Sequence, residues 1–175
     1  DSYVGLAGGF GTVVLGNLTG PTRALGSAVD VNAGATGIGA NTALIGKLGN
    51  NLLGTTDTSG NYAGGSTCAR NSTCASIFDT RWKNAIAYVS PSFGGLNATV
   101  AYVANENKAL NGLAAANTTG YDVGVKYANG PAMAAVTYNA VSVGNAADLK
   151  VSDLRVGGSY NFGMASVRAL FDLAR

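Results

Sequence analysis

The stretch from Arg81 to Lys108 constrains the fold of this chain more than any other. Two strands with alternating side chains flank a tight turn, Ser-Pro-Ser-Phe-Gly-Gly, at residues 90–95. Successive side chains of a strand point to opposite faces, so the alternation predicts one face with Trp82, Ile86 and Tyr88. The opposite face is predicted to carry Arg81, Lys83, Ala85 and Ala87. One apolar and one polar face around a tight turn are typical of a membrane β-hairpin.

The composition fits a membrane environment. Charged residues make up 11% of the sequence, against roughly 25% in typical soluble domains, and glycine numbers 26. No run approaches the ~18 consecutive apolar residues of a transmembrane helix, so a chain of this kind would cross a bilayer as strands closed into a barrel. A glycine-rich extracellular β-solenoid or sandwich has the same composition, and composition leaves that alternative open.

The same alternation predicts further strands, and with the hairpin (Arg81–Ser90 and Leu96–Ala104) they bring the total to about eight. They are expected at Ser2–Ala7, Thr12–Asn17, Thr119–Ala128, Ala132–Val143, Lys150–Asn161 and Ala165–Ala174. Short turns alternate with long polar loops along the chain, which is the pattern of short periplasmic turns and long extracellular loops. Aromatic residues recur near the short turns and predict part of an interfacial girdle, namely Phe10, Tyr88, Phe93, Tyr127, Tyr160 and Phe162.

A loop of roughly sixty residues, Leu18 to Thr80, separates the second strand from the third, far beyond the ~12 to 15 residues of an ordinary structureless connection. Spaced apolar residues from Ala40 to Leu53 predict a short helix within it. Cys68 and Cys74 also lie there, and a pair so spaced in an oxidising compartment predicts a disulfide. A metal site would need more ligands nearby, and the sequence has no histidine.

The lack of histidine also removes Ser-His-Asp and Cys-His catalysis and the usual zinc hydrolase ligand sets. Gly8-Gly9-Phe10-Gly11 precedes an alternating strand rather than a helix, so it is not a dinucleotide-binding loop. A net charge of +2 without a basic patch gives no support to nucleic-acid binding. The sequence therefore predicts no enzyme activity, no cofactor, no metal and no nucleic-acid partner.

Two sequence blocks resemble a known family. The hairpin block contains Asn84, Ile86, Tyr88, Ser90-Pro91, Phe93, Gly95, Tyr102 and Glu106-Asn107. The second block contains Tyr3-Val4-Gly5-Leu6, Gly8-Gly9-Phe10-Gly11-Thr12-Val13 and Leu15-Gly16. In this order they resemble the general porins of Gram-negative outer membranes, in particular the neisserial and Burkholderiales branch. A weaker match is Gly157-Gly158-Ser159-Tyr160-Asn161-Phe162.

The resemblance implies an all-β fold, a transmembrane antiparallel β-barrel of about sixteen strands in the bacterial outer membrane. This sequence holds about half of them, so we expect residues 1–175 to be one partial barrel domain, an internal segment with the family's fourth to eleventh strands. In that family the loop corresponding to residues 18–80 folds into the barrel and narrows the channel. The resemblance also implies a homotrimer embedded in outer-membrane lipid.

A porin would pass small hydrophilic solutes and ions, and its charged wall residues would bias which of them pass. The residues predicted to line the pore are Arg23, Asp79, Arg81, Lys83, Asp122, Lys126, Asp153, Arg155, Arg168 and Asp172. Family relatives often carry charged residues where this chain has Asn17, Ala87 and Val89. These departures limit the expected selectivity to a mild anion preference.

Two other functions remain open from the sequence. The barrel could be an anchor for a structural or adhesive surface protein whose long loop contacts an external partner. A soluble β-protein that binds a ligand is the third possibility. Pore conductance separates the channel from the anchor, and release from membranes by high salt or carbonate would favour the soluble protein.

The disulfide prediction can be tested by mass spectrometry without reductant. We expect a peptide in which Cys68 is linked to Cys74. The ring is small, so the chain-entropy model gives only about 2 kcal/mol of stabilisation, and the bond would mainly fix the local shape of the loop. Alkylation of both thiols in unreduced protein would contradict the prediction.

Overall fold

The computed structural model describes residues 1–32, 77–79, 81–107, 116–144 and 149–175. Eight strands lie in these ranges, in keeping with the predicted all-β fold: β1 Ser2–Gly8, β2 Gly11–Leu18, β3 Trp82–Val89, β4 Leu96–Asn107, β5 Ala116–Asn129, β6 Ala132–Gly144, β7 Leu149–Asn161 and β8 Ser166–Ala174. The long loop contributes helix α1, Pro21–Val29, and a single 3₁₀ turn, Ile77–Asp79. The predicted helix at Ala40–Leu53 and both cysteines lie outside the described residues.

All eight strands form one antiparallel sheet in sequence order, each strand paired with the one before it. β4 and β5 continue several residues past their predicted ends, because the pairing runs out to Asn107 and Ala116. None of the helices in the described residues is long and apolar enough to cross a membrane.

The register gives the sheet two different faces. One ladder row crosses all eight strands with apolar or aromatic side chains: Leu6, Val13, Tyr88, Val100, Val123, Tyr138, Leu154 and Leu173. The row one residue along belongs to the opposite face and is mixed: Gly5, Val14, Ala87, Ala101, Asp122, Asn139, Asp153 and Ala174. We call the first the open face and the second, on which α1 and the 3₁₀ turn pack, the covered face.

Helix α1 lies across the covered face. It begins with Pro21, whose fixed φ suits the first position of a helix and whose missing N–H costs nothing there. Thr22, Leu25, Gly26 and Val29 are buried, and their spacing of three and four residues defines one side of a helix. At Gly124 on β5 a Cβ would come within 2.7 Å of the Pro21 Cβ, so the helix start approaches the sheet at van der Waals distance.

An apolar core fills the space between the covered face and the two ends of the long loop. Its buried members are Leu18, Phe78, Trp82, Ala85, Ala87, Ala101, Val103, Val141 and Val151. Phe78 comes from the 3₁₀ turn and is fully buried. The apolar side chains of the core thus hold the end of the loop against strands β3 to β7.

A β-bulge at the start of β3 places Trp82 on the opposite face of the sheet from the one predicted. Leu18 pairs with Trp82 and Gly16 pairs with Ala85, so two residues of β3 oppose Asn17 alone. One of the two, Asn84, has a φ of 52°, which asparagine tolerates better than most residues. The extra residue moves Trp82 onto the covered face, where it is 7% exposed, and leaves Lys83 on the open face. The prediction that Trp82 shares a face with Ile86 was therefore wrong, and the role of Lys83 in the pore stays a prediction.

The packing of Trp82 predicts the effect of adding one methyl group beneath it. In Gly120→Ala the new Cβ would lie 2.6 Å from Cζ3 of Trp82 and 2.9 Å from the carbonyl oxygen of Ala140. We expect a loss of roughly 1–3 kcal/mol in the free energy of unfolding, because the indole has to move. Trp82 is the one tryptophan of this sequence, so a red shift of its emission would report the displacement.

The matched control is Gly9→Ala, since no atom lies within 4 Å of a Cβ there. Equal stability of the two variants would show that Trp82 does not pack on Gly120.

Candidate functional site

Arg155 on β7 is the centre of the contact between the long loop and the sheet. Its side chain is fully buried, an unusual state for a permanently charged group. Nη1 and Nη2 donate to the two carboxylate oxygens of Asp79 at 2.8 and 3.1 Å. This bidentate geometry matches the planar fork of the guanidinium and holds the 3₁₀ turn at the end of the loop against the sheet.

The same guanidinium also binds the start of the loop. Nη1 donates a second hydrogen bond, of 3.0 Å, to the carbonyl oxygen of Thr22 in the first turn of α1. Arg155 therefore connects two loop segments that are far apart in sequence to one position of the sheet.

Two carboxylates of the sheet complete the surroundings of Arg155. Nε donates to Asp172 on β8 at 3.1 Å, and Nη2 lies 3.1 Å from Asp153 two residues earlier on β7. All three carboxylates are largely or fully buried beside the one guanidinium. Removing the cation would leave buried carboxylates without their counter-charge, which is the costly case for a buried ion pair.

Asp122 on β5 caps the N-terminus of α1 from outside the helix. Its carboxylate accepts the backbone N–H of Thr22, with oxygens at 3.1 and 3.3 Å, and the Thr22 hydroxyl at 2.6 Å. The first N–H groups of a helix lack partners within it, and a negative charge there is favoured by the helix dipole. α1 has no side-chain cap of its own, so this sheet carboxylate takes that place.

Arg168 on β8 occupies the opposite end of α1. Its Nη1 donates to the carbonyl oxygen of Asp30, the residue that follows the helix. A cation at a helix C-terminus is the complement of a carboxylate at the N-terminus. The sheet thus supplies a partner of suitable charge at each end of α1.

The other predicted pore residues are spread more widely. Lys126 is exposed on the covered face, two residues beyond Gly124 on β5, and Arg23 is half-buried on α1 away from its buried side. Arg81 lies before β3 and pairs with Asp1 at 2.9 Å, on an exposed part of the molecule. The structure brings Asp79, Asp153, Arg155 and Asp172 together and places Asp122 and Arg168 at the two ends of α1.

Sequence analysis missed α1 and the residues that attach it, Thr22 and Asp30. A signal was available: Pro21 followed by Thr22, Leu25, Gly26 and Val29 has the start residue and the spacing of a short amphipathic helix. The sequence also did not indicate that the carboxylates expected to face water are buried around Arg155.

Chemically, the cluster is suited to holding the loop in place. Its members are carboxylates already engaged by Arg155 or by the start of α1. Within the described ranges, no three His, Cys, Asp or Glu side chains form a group that could hold a metal ion.

Comparisons with known proteins agree with this architecture. The family described as Gram-negative porin matches residues 1–175. Outer membrane porin protein 32 of Delftia acidovorans is 31% identical over 173 residues, which is 97% of this chain and 42% of that protein. The solved structure of an anion-selective porin from Comamonas acidovorans superposes with a TM-score of 0.68 at 27% identity. That alignment covers 99% of this chain and 45% of the other.

This chain spans less than half the length of both relatives, and its eight antiparallel strands correspond to about half of a porin barrel. The family resemblance, the barrel fold and the outer-membrane location predicted from the sequence are confirmed. From the match over its whole length and the shared fold, we conclude that this chain belongs to the Gram-negative porin family.

Proposed function

We propose that the protein is a passive diffusion channel for small hydrophilic solutes and ions, with a mild preference for anions. The covered face would line the water-filled interior, and the open face would contact lipid. Family membership and fold support a channel rather than an enzyme. A homotrimer remains part of the proposal on the strength of the family alone.

The anion preference rests on which charges of the covered face remain exposed. Four carboxylates, Asp79, Asp122, Asp153 and Asp172, are buried or nearly so, and their partners are Arg155 or the start of α1. Lys126 and Arg168 are exposed, and Arg23 is half-buried. Of the remaining described carboxylates, that of Asp30 is half-buried and accepts the N–H of Asn32 at 2.9 Å, and that of Asp1 is paired with Arg81. The accessible charge is therefore mainly positive, which lowers the barrier for anions.

Arg155 was predicted from the sequence to be a charged residue of the pore wall. In this proposal it acts instead by holding the loop in position. A fully buried guanidinium with three carboxylate neighbours contributes little to the field in the channel. Its part is to fix α1 and the 3₁₀ turn on the covered face, so that the loop narrows the channel at one place.

Charge reversal at Lys126 tests the anion preference. Lys126→Glu in the full-length porin should move the reversal potential in a salt gradient toward cation selectivity. Two unit charges ~4 Å apart in water interact by about 1 kcal/mol, and the substitution changes the wall charge by two units, so the permeability ratio should change by about fivefold or more. Planar-bilayer recording of single channels measures both quantities.

Lys150→Glu is the matched control, because Lys150 is exposed on the open face and should not meet permeating ions. If Lys126→Glu leaves the reversal potential where it is in the unaltered protein, the covered face does not line the permeation path.

Removal of the Arg155 side-chain charge tests the attachment of the loop. Arg155→Met should lower the free energy of unfolding by about 3–5 kcal/mol, because it leaves buried carboxylates unpaired. It should also raise the conductance and the current noise of single channels, since α1 and the 3₁₀ turn lose their shared partner. Hydrogen exchange of peptides from Pro21–Val29 should become faster.

Lys126→Met provides the comparison, since it removes one positive charge from the same face without removing a buried ion pair. The proposal fails if both variants have the same conductance, noise and exchange rates.

A further inference from the structure

Asn139 on β6 lies in the middle of the polar row of the covered face, and its side chain is fully buried. The register pairs it with Asp122 on β5 and with Asp153 on β7, and both of these side chains are fully buried as well. Opposite residues of neighbouring strands have Cβ atoms about 4.5–5.5 Å apart. The row therefore places one neutral amide directly between two buried carboxylates.

These two carboxylates belong to the two separate attachments of α1 and the 3₁₀ turn. Asp122 caps the N-terminus of α1. Asp153 lies beside Arg155, which binds Asp79 of the 3₁₀ turn. Asn139 is on the strand between them, so a side chain that held both carboxylates there would join the two attachments into one unit.

Several buried polar atoms around Asn139 have no hydrogen-bond partner in the described part of the chain. They are Nδ2 and Oδ1 of Asn139, both carboxylate oxygens of Asp153 and Oγ1 of Thr137. The contact of the Asn139 amide with the Asp122 carboxylate also lacks the geometry of a hydrogen bond. Buried polar groups of folded proteins are nearly always paired, because an unpaired one has lost its water without a replacement. We therefore expect neighbouring donors and acceptors in this row to pair with one another.

The donors and acceptors of the row are complementary. The Nδ2 atom of an asparagine carries two N–H donors, and each flanking carboxylate has oxygens that accept hydrogen bonds. The terminal torsion of an asparagine side chain has broad, shallow minima. Rotation of the Asn139 amide can therefore direct one N–H toward Asp122 and the other toward Asp153 without a shift of the backbone.

We propose that Asn139 is a positioning residue for α1 and the 3₁₀ turn, with one amide N–H donated to Asp122 and the other to Asp153. The amide holds both carboxylates in fixed orientations and keeps a neutral group between their charges. An aspartate at this position would have the same shape but would add a further buried negative charge, and a leucine would fill the space without a donor. The effect on conductance rests on the proposed channel function, whereas the two hydrogen bonds do not.

Side-chain amide NMR of the ¹⁵N-labelled full-length porin in detergent micelles tests the two hydrogen bonds. The Nδ2 resonances of Asn139 are assigned as the pair that disappears in Asn139→Leu. We expect both protons to be shifted downfield and to exchange slowly with solvent. Asp153→Asn should move one of the two resonances and Asp122→Asn the other, because each substitution keeps the side-chain shape and removes one carboxylate. Two protons that exchange as fast as those of an exposed asparagine, or that respond to neither substitution, overturn the proposal.

Hydrogen exchange of peptides from Pro21–Val29 measures the positioning itself. Asn139→Leu should make this exchange about tenfold faster, which is the change expected when a hydrogen bond to a charged group is lost, and Asn139→Asp should accelerate it further. Single-channel noise should rise in the same order.

Thr137→Val is the matched control. Thr137 is buried on the same side of β6 and its Oγ1 also lacks a partner, but the register places it opposite Gly124 and Arg155 rather than between carboxylates. Its exchange rates should equal those of the unaltered porin. Equal acceleration in Thr137→Val and Asn139→Leu overturns the proposal. A porin that does not conduct would defeat the proposed channel, and the NMR and exchange measurements would still decide the role of Asn139.

Discussion

A single buried guanidinium fixes the two described segments of the long loop, α1 and the 3₁₀ turn, on the sheet. Arg155 requires counter-charges, and it receives them from the sheet at Asp153 and Asp172 and from the loop at Asp79. The guanidinium is fully buried with the loop in place, and in the described part of the chain it is the shared partner of Asp79 and of the Thr22 carbonyl oxygen. The interaction therefore couples the stability of the sheet to the position of α1 and the 3₁₀ turn.

Helix α1 shows how the sheet compensates for a weak local sequence. Its nine residues include Gly26, Ser27 and the β-branched Thr22 and Val29, which are poor helix formers, and an isolated helix of this length is marginal in water. Asp122 and Arg168 satisfy its two ends with charges that oppose the helix dipole. The helix exists because the sheet supplies both partners, so its position is specified together with its formation.

The strands and most of their faces could be predicted from the sequence, because alternation is a local signal with a period of two. Asp122, Asp153, Arg155 and Asp172 were placed on the correct side of their strands for this reason. Trp82 was placed on the wrong side of its strand, because the bulge at Asn84 inserts an extra residue that the alternating pattern does not reveal. The burial of Arg155 was also beyond the sequence, because it arises from Asp79 and Thr22, which approach across a long stretch of chain. Local patterns report the side of a residue and say little about what covers it.

The contacts that attach α1 also bear on the order of folding. They join residues separated by 100 to 138 positions: Thr22 with Asp122, Thr22 with Arg155, and Asp30 with Arg168. Each partner on the sheet becomes available once its own strand has paired, whereas neighbouring strands pair through short connections. Because closing such long loops costs more entropy than zipping adjacent strands, docking of the helix is expected late, after β5 to β8 have assembled. The protein would then pass through a stage in which these strands are already paired and the charged groups that hold α1 are still open to water.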